Sequence, residues 1–399
     1  MRGVFVGIVG LTYVGLALGG IPGWRMNRAT LALAGAGLLV GLGAIPLDEA
    51  WQAMDATTMV FLLSLMVVNA SLSAGGVFSV GLVALLRLTR TPWGLLVGLT
   101  LGCGFLSAFL LNDTMVLVFT PLVIRLTHTV GLPAIPYLLA LAGATNVGSL
   151  ATLSGNPQNI LVGSFSGIPY LTFAQILTPL AGAGLGLQIL WLAWLYPAVR
   201  SRQLFDLHLA WQPKVYPPLF RKSVGITSGL LVAFAVGIPV GQAALVAASL
   251  LLITRRIKPQ RFLGAVDWSV LVLFAGLFVL TAVTRRLQIL PAFDSGLLLL
   301  PLVVGLSNVI SNVPAVLLLH PLASTAVDWL WLAAGSTLAG NLTLLGSVAN
   351  LIVVEASGQR GEHLSFGEHL RFGLPLTLVL TGVAALWIPW ATRVVGLTP

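Results

Sequence analysis

Charged side chains are scarce in this sequence, and their scarcity decides its class. Of the 399 residues, 57% are hydrophobic and only 8% are charged, whereas roughly a quarter of the residues in an ordinary soluble domain are charged. Apolar runs with few or no charges recur from Val4 to Ala391, and several reach the ~20 residues that a membrane-spanning helix needs. Alternating ten-residue segments of the kind that build membrane barrels are missing. The composition predicts an all-α polytopic membrane protein.

Cysteine is almost absent as well. The single thiol, Cys103, excludes an intramolecular disulfide and a multi-cysteine metal site. Nor does the sequence contain a phosphate-binding loop, a His-Glu-x-x-His zinc motif or the Ser/His arrangement of a hydrolase. We therefore expect neither an enzyme nor a bound cofactor or metal, although a coupling Na⁺ or H⁺ fits the sequence. ATP-driven pumping by the chain itself lacks support, and a separate ATPase subunit is left open.

One stretch of the sequence occurs twice. Residues 107–159 align with residues 307–350, first without a gap and then after a shorter spacer. The matching pairs are Ser107 and Ser307, Asn112 and Asn312, Val116 and Val316, Leu117 and Leu317, Pro121 and Pro321, Leu122 and Leu322, Thr152 and Thr343, Gly155 and Gly346, and Asn159 and Asn350. Two matching blocks in the same order indicate an internal duplication.

The duplication divides the chain into a first repeat over residues 1–198, a linker over 199–222 and a second repeat over 223–399. Each repeat is predicted to hold a helical hairpin and a broken helix, at about 92–127 and 135–165 in the first and about 293–326 and 328–356 in the second. The second arm of the first hairpin, Thr114 to about Thr127, has about 14 residues, or ~21 Å, which is too short for a ~30 Å hydrocarbon core. We therefore predict that the hairpins re-enter the membrane.

The basic residues predict how the repeats are oriented. Each repeat makes five crossings if its hairpin re-enters, and an odd number places the repeats in opposite orientations. All but four of the 20 Lys and Arg residues fall on the linker's side of the membrane, the exceptions being Arg2, Arg285, Arg286 and Arg393. Because the cytoplasmic side carries the excess of Lys and Arg, we predict inverted-topology repeats in the inner membrane, a cytoplasmic linker and both termini outside. The first hairpin then enters from the cytoplasm and the second from outside.

The same asymmetry accounts for the formal net charge of +9. Lys and Arg residues that lie in loops between apolar runs are topology signals, not a surface for nucleic acid. We therefore expect the partners of the chain to be the lipid bilayer and a small ion or anion, with no nucleic acid.

Helix breaks inside a membrane leave backbone groups that must be satisfied by a cavity, a side chain or an ion. Pro157 lacks a backbone donor and disfavours helix at the residue before it, so the first broken helix should unwind there. Inverted repeats whose broken helices meet at the midplane are the layout of secondary transporters. The positions predicted to line the site are Ser107, Asn112, Asp113, Thr114, Thr152, Ser154, Gly155, Asn156 and Asn159 from the first repeat, and Ser307, Ser311, Asn312, Thr343, Gly346, Ser347 and Asn350 from the second. Hard oxygen and amide groups suit Na⁺ or H⁺ coupling and a small oxygen-rich substrate better than a transition metal.

Asp113 is the sharpest single candidate in this set. An acid at a hairpin tip near mid-membrane is costly and marks an ion pathway, so we predict a proton carrier or a cation ligand; the alternative is an ordinary cap on the second arm. The second repeat has no acid at the matching position, which is Val313. Asp55 and Asp267, which open the third apolar run of each half, are predicted to cap their helices, and Asn69 to hydrogen-bond between helices.

These motifs resemble the ion transporter superfamily, in particular its arsenite-pump and sodium/proton-antiporter branch. The resemblance is carried by residues 107–113, 154–159, 311–314, 340–350 and 366–375, and it covers nearly the whole chain. The Gly-Asn-Pro-Gln-Asn run at 155–159 is also similar to citrate-transporter-like permeases. The divalent-anion sodium symporters resemble the chain more distantly.

The resemblance implies an elevator-type architecture, often dimeric, in which the first spans of each half form a scaffold domain and the hairpins and broken helices form a transport domain. In the symporters a Ser-Asn-Thr tip in each hairpin binds sodium and the substrate carboxylate. Here the tips read Leu111-Asn112-Asp113-Thr114 and Ser311-Asn312-Val313. The first therefore lacks the serine and the second the threonine, and the Asn-Asp tip is closer to the arsenite pumps.

The sequence thus favours a proton- or sodium-coupled secondary transporter. Export of arsenite or antimonite is the first choice, dicarboxylate or citrate transport the second, and sodium/proton exchange the third. A channel also uses re-entrant hairpins, but two unequal hairpins without a repeated carbonyl filter argue against one. A homodimer and sodium at the hairpin tips are both compatible with the resemblance.

Overall fold

The computed structural model of the protein describes residues 1–20, 23–204, 215–253, 258–289 and 296–397, and within them the regular structure is helical throughout. The prediction of an all-α protein is confirmed. The first half holds α1 (Arg2–Leu18), α2 (Arg28–Gly41), α3 (Leu47–Gln52), α4 (Ala56–Gly75), α5 (Val77–Leu88), α6 (Pro92–Phe109), α7 (Asn112–Thr129), α8 (Ala134–Ser149), α9 (Pro157–Ser166) and α10 (Tyr170–Leu195). The second half holds α11 (Pro217–Ala235), α12 (Val240–Leu252), α13 (Pro259–Leu263), α14 (Trp268–Arg286), α15 (Leu299–Ile310), α16 (Asn312–Leu319), α17 (Ala326–Ala339), α18 (Val348–Gly358) and α19 (Phe366–Val395).

Several of these helices have the dimensions of membrane spans. In the described part of the chain, α4, α6, α10, α14 and α19 are long and apolar enough to cross a membrane. Many large apolar side chains on them point outward, such as Leu386, which is 79% exposed, and Trp390, which is 55% exposed. An apolar exterior of this kind suits lipid and not water, as expected of a multi-pass membrane protein.

The helix order of the first half recurs in the second half. A pair of helices, a short helix and a long helix are followed by a hairpin, a broken helix and a last long helix, and within the described residues only α5 lacks a counterpart. The long helices α4 and α14 begin in the same way. The Asp55 carboxylate accepts a hydrogen bond from the Thr58 N–H at 3.2 Å, and the Asp267 carboxylate accepts one from the Ser269 N–H at 3.0 Å. The predicted capping roles of both acids are confirmed.

The two halves interlock through exchanged helices. Helix α2 packs along α14, α12 packs along α4, and α10 packs along α19. Small residues permit the close approach, because a Cβ added to Gly276 of α14 would lie 2.6 Å from the backbone carbonyl carbon of Ala32 in α2. Both halves therefore contribute to one shared apolar core.

The hairpins turn where the sequence places their tips, but the second arm of the first hairpin is longer than predicted. Helix α7 has 18 residues, or ~27 Å. Asn112 and Asp113, which were predicted to lie in the break before the helix, form its first turn. Its length therefore does not by itself require re-entry, which stays a prediction. In the second hairpin a single residue, Ser311, separates α15 from α16.

The linker ends earlier than the sequence predicts. Helix α11 begins at Pro217, inside the predicted 199–222 segment, because proline at the first helical position loses no hydrogen bond and has a helical φ already. Residues 205–214 of that segment, and 293–295 of the predicted second hairpin, lie outside the described residues.

Polar contacts between loops agree with the predicted sidedness. On one side, Arg286 Nη1 lies 2.9 Å from Glu49 Oε2. On the same side, Arg2 donates to the backbone carbonyl of Leu287, the residue after Arg286. On the other, His128 Nε2 lies 2.6 Å from Glu362 Oε1. Each contact joins loops that the predicted topology places on the same side of the membrane.

Replacing Gly148 with alanine should destabilise the fold. A Cβ on Gly148 of α8 would lie 2.5 Å from the Gly104 Cα of α6, so the two helices must separate. Overpacking of this kind costs about 1–3 kcal/mol, and we expect Gly148→Ala to lower the melting temperature of the purified protein in detergent. The matched control is Gly182→Ala in α10, which has open space around its Cβ position and should be neutral or slightly stabilising. Equal melting temperatures for the two variants would contradict this account of the α6–α8 contact.

Candidate functional site

Two broken helices meet inside the protein. Helix α8 ends at Ser149 and α9 begins at Pro157, while α17 ends at Ala339 and α18 begins at Val348. All residues of the first intervening segment are buried, and so are five of the eight residues of the second. Their backbone carbonyls therefore need partners from the protein itself.

One asparagine in each half supplies these partners. The side-chain amide of Asn159 donates to the carbonyls of Ser149 at 3.0 Å and Thr152 at 2.9 Å. In the second half, the amide of Asn350 donates to the carbonyls of Gly340 at 2.6 Å and Thr343 at 3.1 Å. The pairs occupy matching positions of the repeat. Asn159 and Asn350 therefore complete the two broken helices in the same way.

The caps of the short helices cross from one half to the other. Asn156 caps α9 by accepting from the Asn159 N–H at 2.8 Å, and its amide donates to Thr337 Oγ1 of the second half at 3.1 Å. Ser347 caps α18, and its hydroxyl donates to Asn146 Oδ1 of the first half at 3.1 Å. Asn156 matches Ser347 in the repeat, and Asn146 matches Thr337. The breaks thus hold each other in place by reciprocal hydrogen bonds.

The side chain of Asn146 bonds to four other side chains of this network. Its amide nitrogen donates to Asn341 Oδ1 at 2.9 Å and to Asn350 Oδ1 at 3.1 Å. Its oxygen accepts from Ser347 and, at 3.3 Å, from Asn112 Nδ2 at the first hairpin tip. A single buried amide therefore connects the first hairpin to the broken helix of the other half.

The two hairpin tips are held differently. At the first, the Asn112 N–H donates to the Gly155 carbonyl at 3.2 Å and Thr152 Oγ1 donates to the Ala108 carbonyl. At the second, Thr343 Oγ1 donates to Asn308 Oδ1 at 2.9 Å. The threonines therefore fasten hairpins to breaks and do not bond back within their own helices.

Glycine is required at the matching positions 155 and 346. A Cβ on Gly155 would lie 2.7 Å from the Ser149 Cα, and one on Gly346 would lie 2.8 Å from both the Ala339 carbonyl oxygen and Asn308 Oδ1. The chain crosses itself at these points too closely for a side chain. The two residues predicted as site positions thus serve the geometry of the breaks.

The second tip contains polar groups without partners. Asn312 is 9% exposed and Ser307 is fully buried, yet Asn312 Oδ1 and Ser307 Oγ make no hydrogen bond in the described part of the protein. Ser107, the match of Ser307, instead donates to the Thr145 carbonyl at 2.8 Å. Ser311 adopts φ 82° and ψ 160°, a region that is nearly exclusive to glycine and costs about 1–3 kcal/mol.

Asp113 lies on the first turn of α7 and faces a cavity of about 200 Å³. Beside it, Asn69 Nδ2 donates to Thr114 Oγ1 at 3.4 Å, which confirms the predicted bond of Asn69 between helices. No group of three or more His, Cys, Asp or Glu residues that could hold a metal occurs among the described residues. In the same residues, no Lys or Arg joins the hydrogen bonds of the two breaks. The centre is therefore polar but uncharged, with one acid at its edge.

The structure brings together most of the predicted site but not all of it. Asn112, Asn156, Asn159, Ser347 and Asn350 belong to one network. The Ser154 hydroxyl instead bonds to the hydroxyls of Thr152 at 3.1 Å and Tyr170 at 3.0 Å. For Ser307, Ser311 and Asn312, no hydrogen bond to this network exists among the described residues.

Among the members of the network that the sequence reasoning missed are Asn146, Thr337, Asn341 and His369. His369 is fully buried, and its Nε2 lies 3.1 Å from the Asn341 carbonyl oxygen. Extending the repeat register backward from Thr152 and Thr343 pairs Asn146 with Thr337, two polar residues inside apolar helices. That extension would have found both of them.

Comparisons with known proteins agree with this architecture. The family model described as CitMHS, citrate transporter, matches residues 13–339 of the chain. The silicon efflux transporter LSI3 of Oryza sativa subsp. japonica is 29% identical over 91% of this chain and 92% of its own length. The inner membrane protein YbiR of Escherichia coli is 31% identical over 81% of this chain and 87% of its own length. The putative transporter arsB of Dictyostelium discoideum is 26% identical over 90% and 87%, respectively.

A solved structure shares the fold. The YdaH transporter of Alcanivorax borkumensis, described as having an unusual topology, aligns with a TM-score of 0.60 and 16% identity and covers 98% of each chain. An alignment over the full length at this identity shows the same helical architecture and leaves the substrate open.

Removing the Asn146 side chain should destabilise the centre. Asn146→Ala leaves Asn112, Asn341, Asn350 and Ser347 short of a partner, and each unsatisfied buried group costs about 1–3 kcal/mol. We expect a stability loss of about 3 kcal/mol, read as a lower melting temperature in detergent. The matched control is Thr145→Ala, because the equally buried Thr145 hydroxyl bonds only to carbonyls of its own helix. A loss no larger than that of the control would contradict a central role for Asn146.

Proposed function

The chain belongs to the citrate transporter family, and we propose that it is a secondary transporter in which a proton or sodium gradient drives the export of a small uncharged hydroxide of the arsenite or antimonite type. The observation that carries the proposal is that the centre is polar but uncharged. Its hydrogen-bonding groups are side-chain amides, hydroxyls, backbone carbonyls and the imidazole of His369, and no Lys or Arg takes part among the described residues.

A neutral centre favours a neutral substrate. Citrate and dicarboxylates bring several negative charges, which proteins bind with Arg, Lys or a bound cation. Arsenous acid is uncharged at neutral pH and presents three hydroxyl groups, and amides can both donate to and accept from such groups. The relatives whose names state silicon efflux and arsB support the same class. Sodium-coupled citrate transport, which the family's name suggests, is the second candidate, and sodium/proton exchange the third.

The second hairpin tip is where we place the substrate. Buried polar atoms without partners are rare in folded proteins, and Asn312 Oδ1 and Ser307 Oγ are two of them in one hairpin. The strained backbone at Ser311 lies between them, as is common where a loop is shaped for a ligand. By contrast, the amide of Asn112 at the first tip already donates to Asn146. A hydroxide bound at the second tip would satisfy these groups.

The route of alternating access is proposed from a difference between the surroundings of the matching acids Asp55 and Asp267. The scaffold acid Asp55 accepts hydrogen bonds from Ser164 of α9 at 3.0 and 2.5 Å, and His320 stacks on the adjacent Phe165 with ring centroids 4.7 Å apart. At the matching place of the other half, Asp267 borders a cavity. We propose that the Asp55–Ser164 contact closes the outer side in this state, and that it opens when the transport domain moves as an elevator.

The loop contacts and the basic residues support the orientation that this cycle needs. Asp267 belongs to the loop side that carries most of the Lys and Arg, whereas Asp55 lies on the side of Glu49 and Arg286. We therefore propose inverted repeats in an inner membrane, a cytoplasmic linker and outer termini, with the cavity facing the cytoplasm.

Substrate choice is tested by transport in liposomes. Purified protein is reconstituted with an imposed pH gradient, with and without sodium, and internal pH is read while arsenite, citrate or sodium alone is added. We expect ion movement that requires arsenite. For Asn312→Ala we expect the half-saturating arsenite concentration to rise about tenfold, because the lost hydrogen bond is worth about 1.4 kcal/mol.

The control for this variant is Thr120→Ala, since the Thr120 hydroxyl bonds only to the Val116 carbonyl of its own helix. Ion movement with citrate and not with arsenite would replace the proposed substrate by the carboxylate class. Movement with sodium alone would make the protein a sodium/proton antiporter.

The outer contact is tested by cross-linking. Asp55→Cys and Ser164→Cys are introduced together in a Cys103→Ala background, which removes the only native thiol. A short, reducible bifunctional thiol reagent should stop transport in the double variant, and a reducing agent should restore it. Each single variant with the reagent is the control. Full transport by the cross-linked protein would rule out opening at this contact.

A further inference from the structure

A cavity with an acidic lining separates the first hairpin from the scaffold. It has a volume of about 200 Å³, and its polar lining includes Asn69 of α4, Asp113 and Thr114 of α7, and Asp267 at the start of α14. We call it the acid cavity. Among the described residues, its lining contains no Lys, Arg or His.

Two groups in the acid cavity lack partners. The Asp113 carboxylate takes part in no hydrogen bond or ion pair with the described residues, although the backbone N–H of Asp113 donates to Asn112 Oδ1 at 3.0 Å. Asn69 is only 2% exposed, and its Oδ1 has no hydrogen-bond partner within the described part of the chain. A buried amide oxygen without a donor and a carboxylate without a cation both call for a positively charged ligand.

The donor set restricts the ligand to a hard cation. Carboxylate, amide and hydroxyl oxygens prefer alkali and alkaline-earth ions, and the thiolate and imidazole ligands of transition metals are absent from the lining. The Asp267 carboxylate already accepts from the N–H groups of Ser269 and Val270 and is exposed at the mouth. One uncommitted carboxylate, Asp113, therefore remains to be neutralised, which fits a single positive charge.

We propose that the acid cavity binds one monovalent alkali cation, Na⁺, between Asp113, Asn69 and Thr114, with Asp267 attracting it at the mouth. The binding stands on the cavity itself, whereas its role as the coupling ion rests on the proposed transport function. Because the cavity lies between the first hairpin and the helices α4 and α14, the cation would join transport domain and scaffold on the side opposite the Asp55–Ser164 contact.

The test measures binding of radioactive sodium to the purified full-length protein in detergent, without substrate and with choline as the balancing cation. Saturable binding is expected for the unmodified chain. Asp113→Asn should weaken it by about tenfold or more, because it removes the half-buried charge at nearly constant shape. Asn69→Ala and Asp267→Asn should each weaken it by about threefold, since the first removes a neutral ligand and the second an exposed, screened charge.

The matched control is Asp48→Asn, which removes an exposed carboxylate on α3 outside the cavity lining and should leave sodium binding unchanged. Elution of every variant as a single peak on gel filtration shows that it is folded. Should Asp113→Asn fail that check, Asp267→Asn at the exposed mouth still tests the site. No saturable sodium binding, or equal affinity in the Asp113 and Asp267 variants and the unmodified chain, would overturn the proposal.

The two proposals fail separately. Transport of arsenite without sodium binding would refute the cation site and leave the transport function in place. Sodium binding that depends on Asp113, in a protein that moves neither arsenite, citrate nor protons, would establish the site and refute the transport function.

Discussion

The fold depends on how four backbone carbonyls are satisfied at two helix ends that are buried inside the protein. Water does not reach these ends in a membrane, and an unpaired carbonyl there is costly. Asn159 and Asn350 meet this demand with their side-chain amides, each donating to two carbonyls of its own half. Because each asparagine stands one turn inside the following short helix, the bonds also fix the path of the chain through the break. The remaining contacts of the centre are arranged around them.

The caps then join the breaks to each other. Asn156 reaches Thr337 and Ser347 reaches Asn146, so neither break keeps its geometry if the other half moves away. Hydrogen bonds of this density make the centre rigid, which is compatible with the proposed movement of a transport domain as one body. It also means that the asparagines of the breaks are committed to structure. The groups left for ligands are at the edges, on the second tip at Asn312 and on the first at Asp113.

The repeat made much of this centre predictable. Asn159 and Asn350, and both glycines of the breaks, were found because the two copies keep the same residue at each position. Asn146 was missed because its match is Thr337, a different polar residue, so the pair shows only once the register is extended. The start of α7 was placed two residues late, since Asn112 and Asp113 were interpreted as a break although they form its first turn. Local pattern does not separate a polar break from a polar helix start.

Tertiary relations between the halves lay beyond sequence reasoning. Asp55 and Asp267 were recognised as matching helix caps, and both are. Asp55 bonds to a serine, whereas Asp267 borders a cavity with Asp113, and this difference depends on how the helices around α4 and α14 pack. No spacing along the chain carries that information.

The unequal residues of the two halves give the repeats different chemistry within one architecture. Ser164, whose hydroxyl bonds to Asp55, is matched in the repeat register by Glu355 on α18, and Val313 is matched by Asp113. On one side of the protein, the proposed closing contact is a hydrogen bond from the neutral Ser164 hydroxyl to a single acid, Asp55. The other side gathers Asp113 and Asp267 around a cavity, and Glu355 stands where the serine would be. Like charges oppose closure on that side unless a cation compensates them. Under the proposed alternating access and cation site, the two matching sides therefore differ in what closes them, a hydrogen bond between Ser164 and Asp55 on one side and a bound cation on the other.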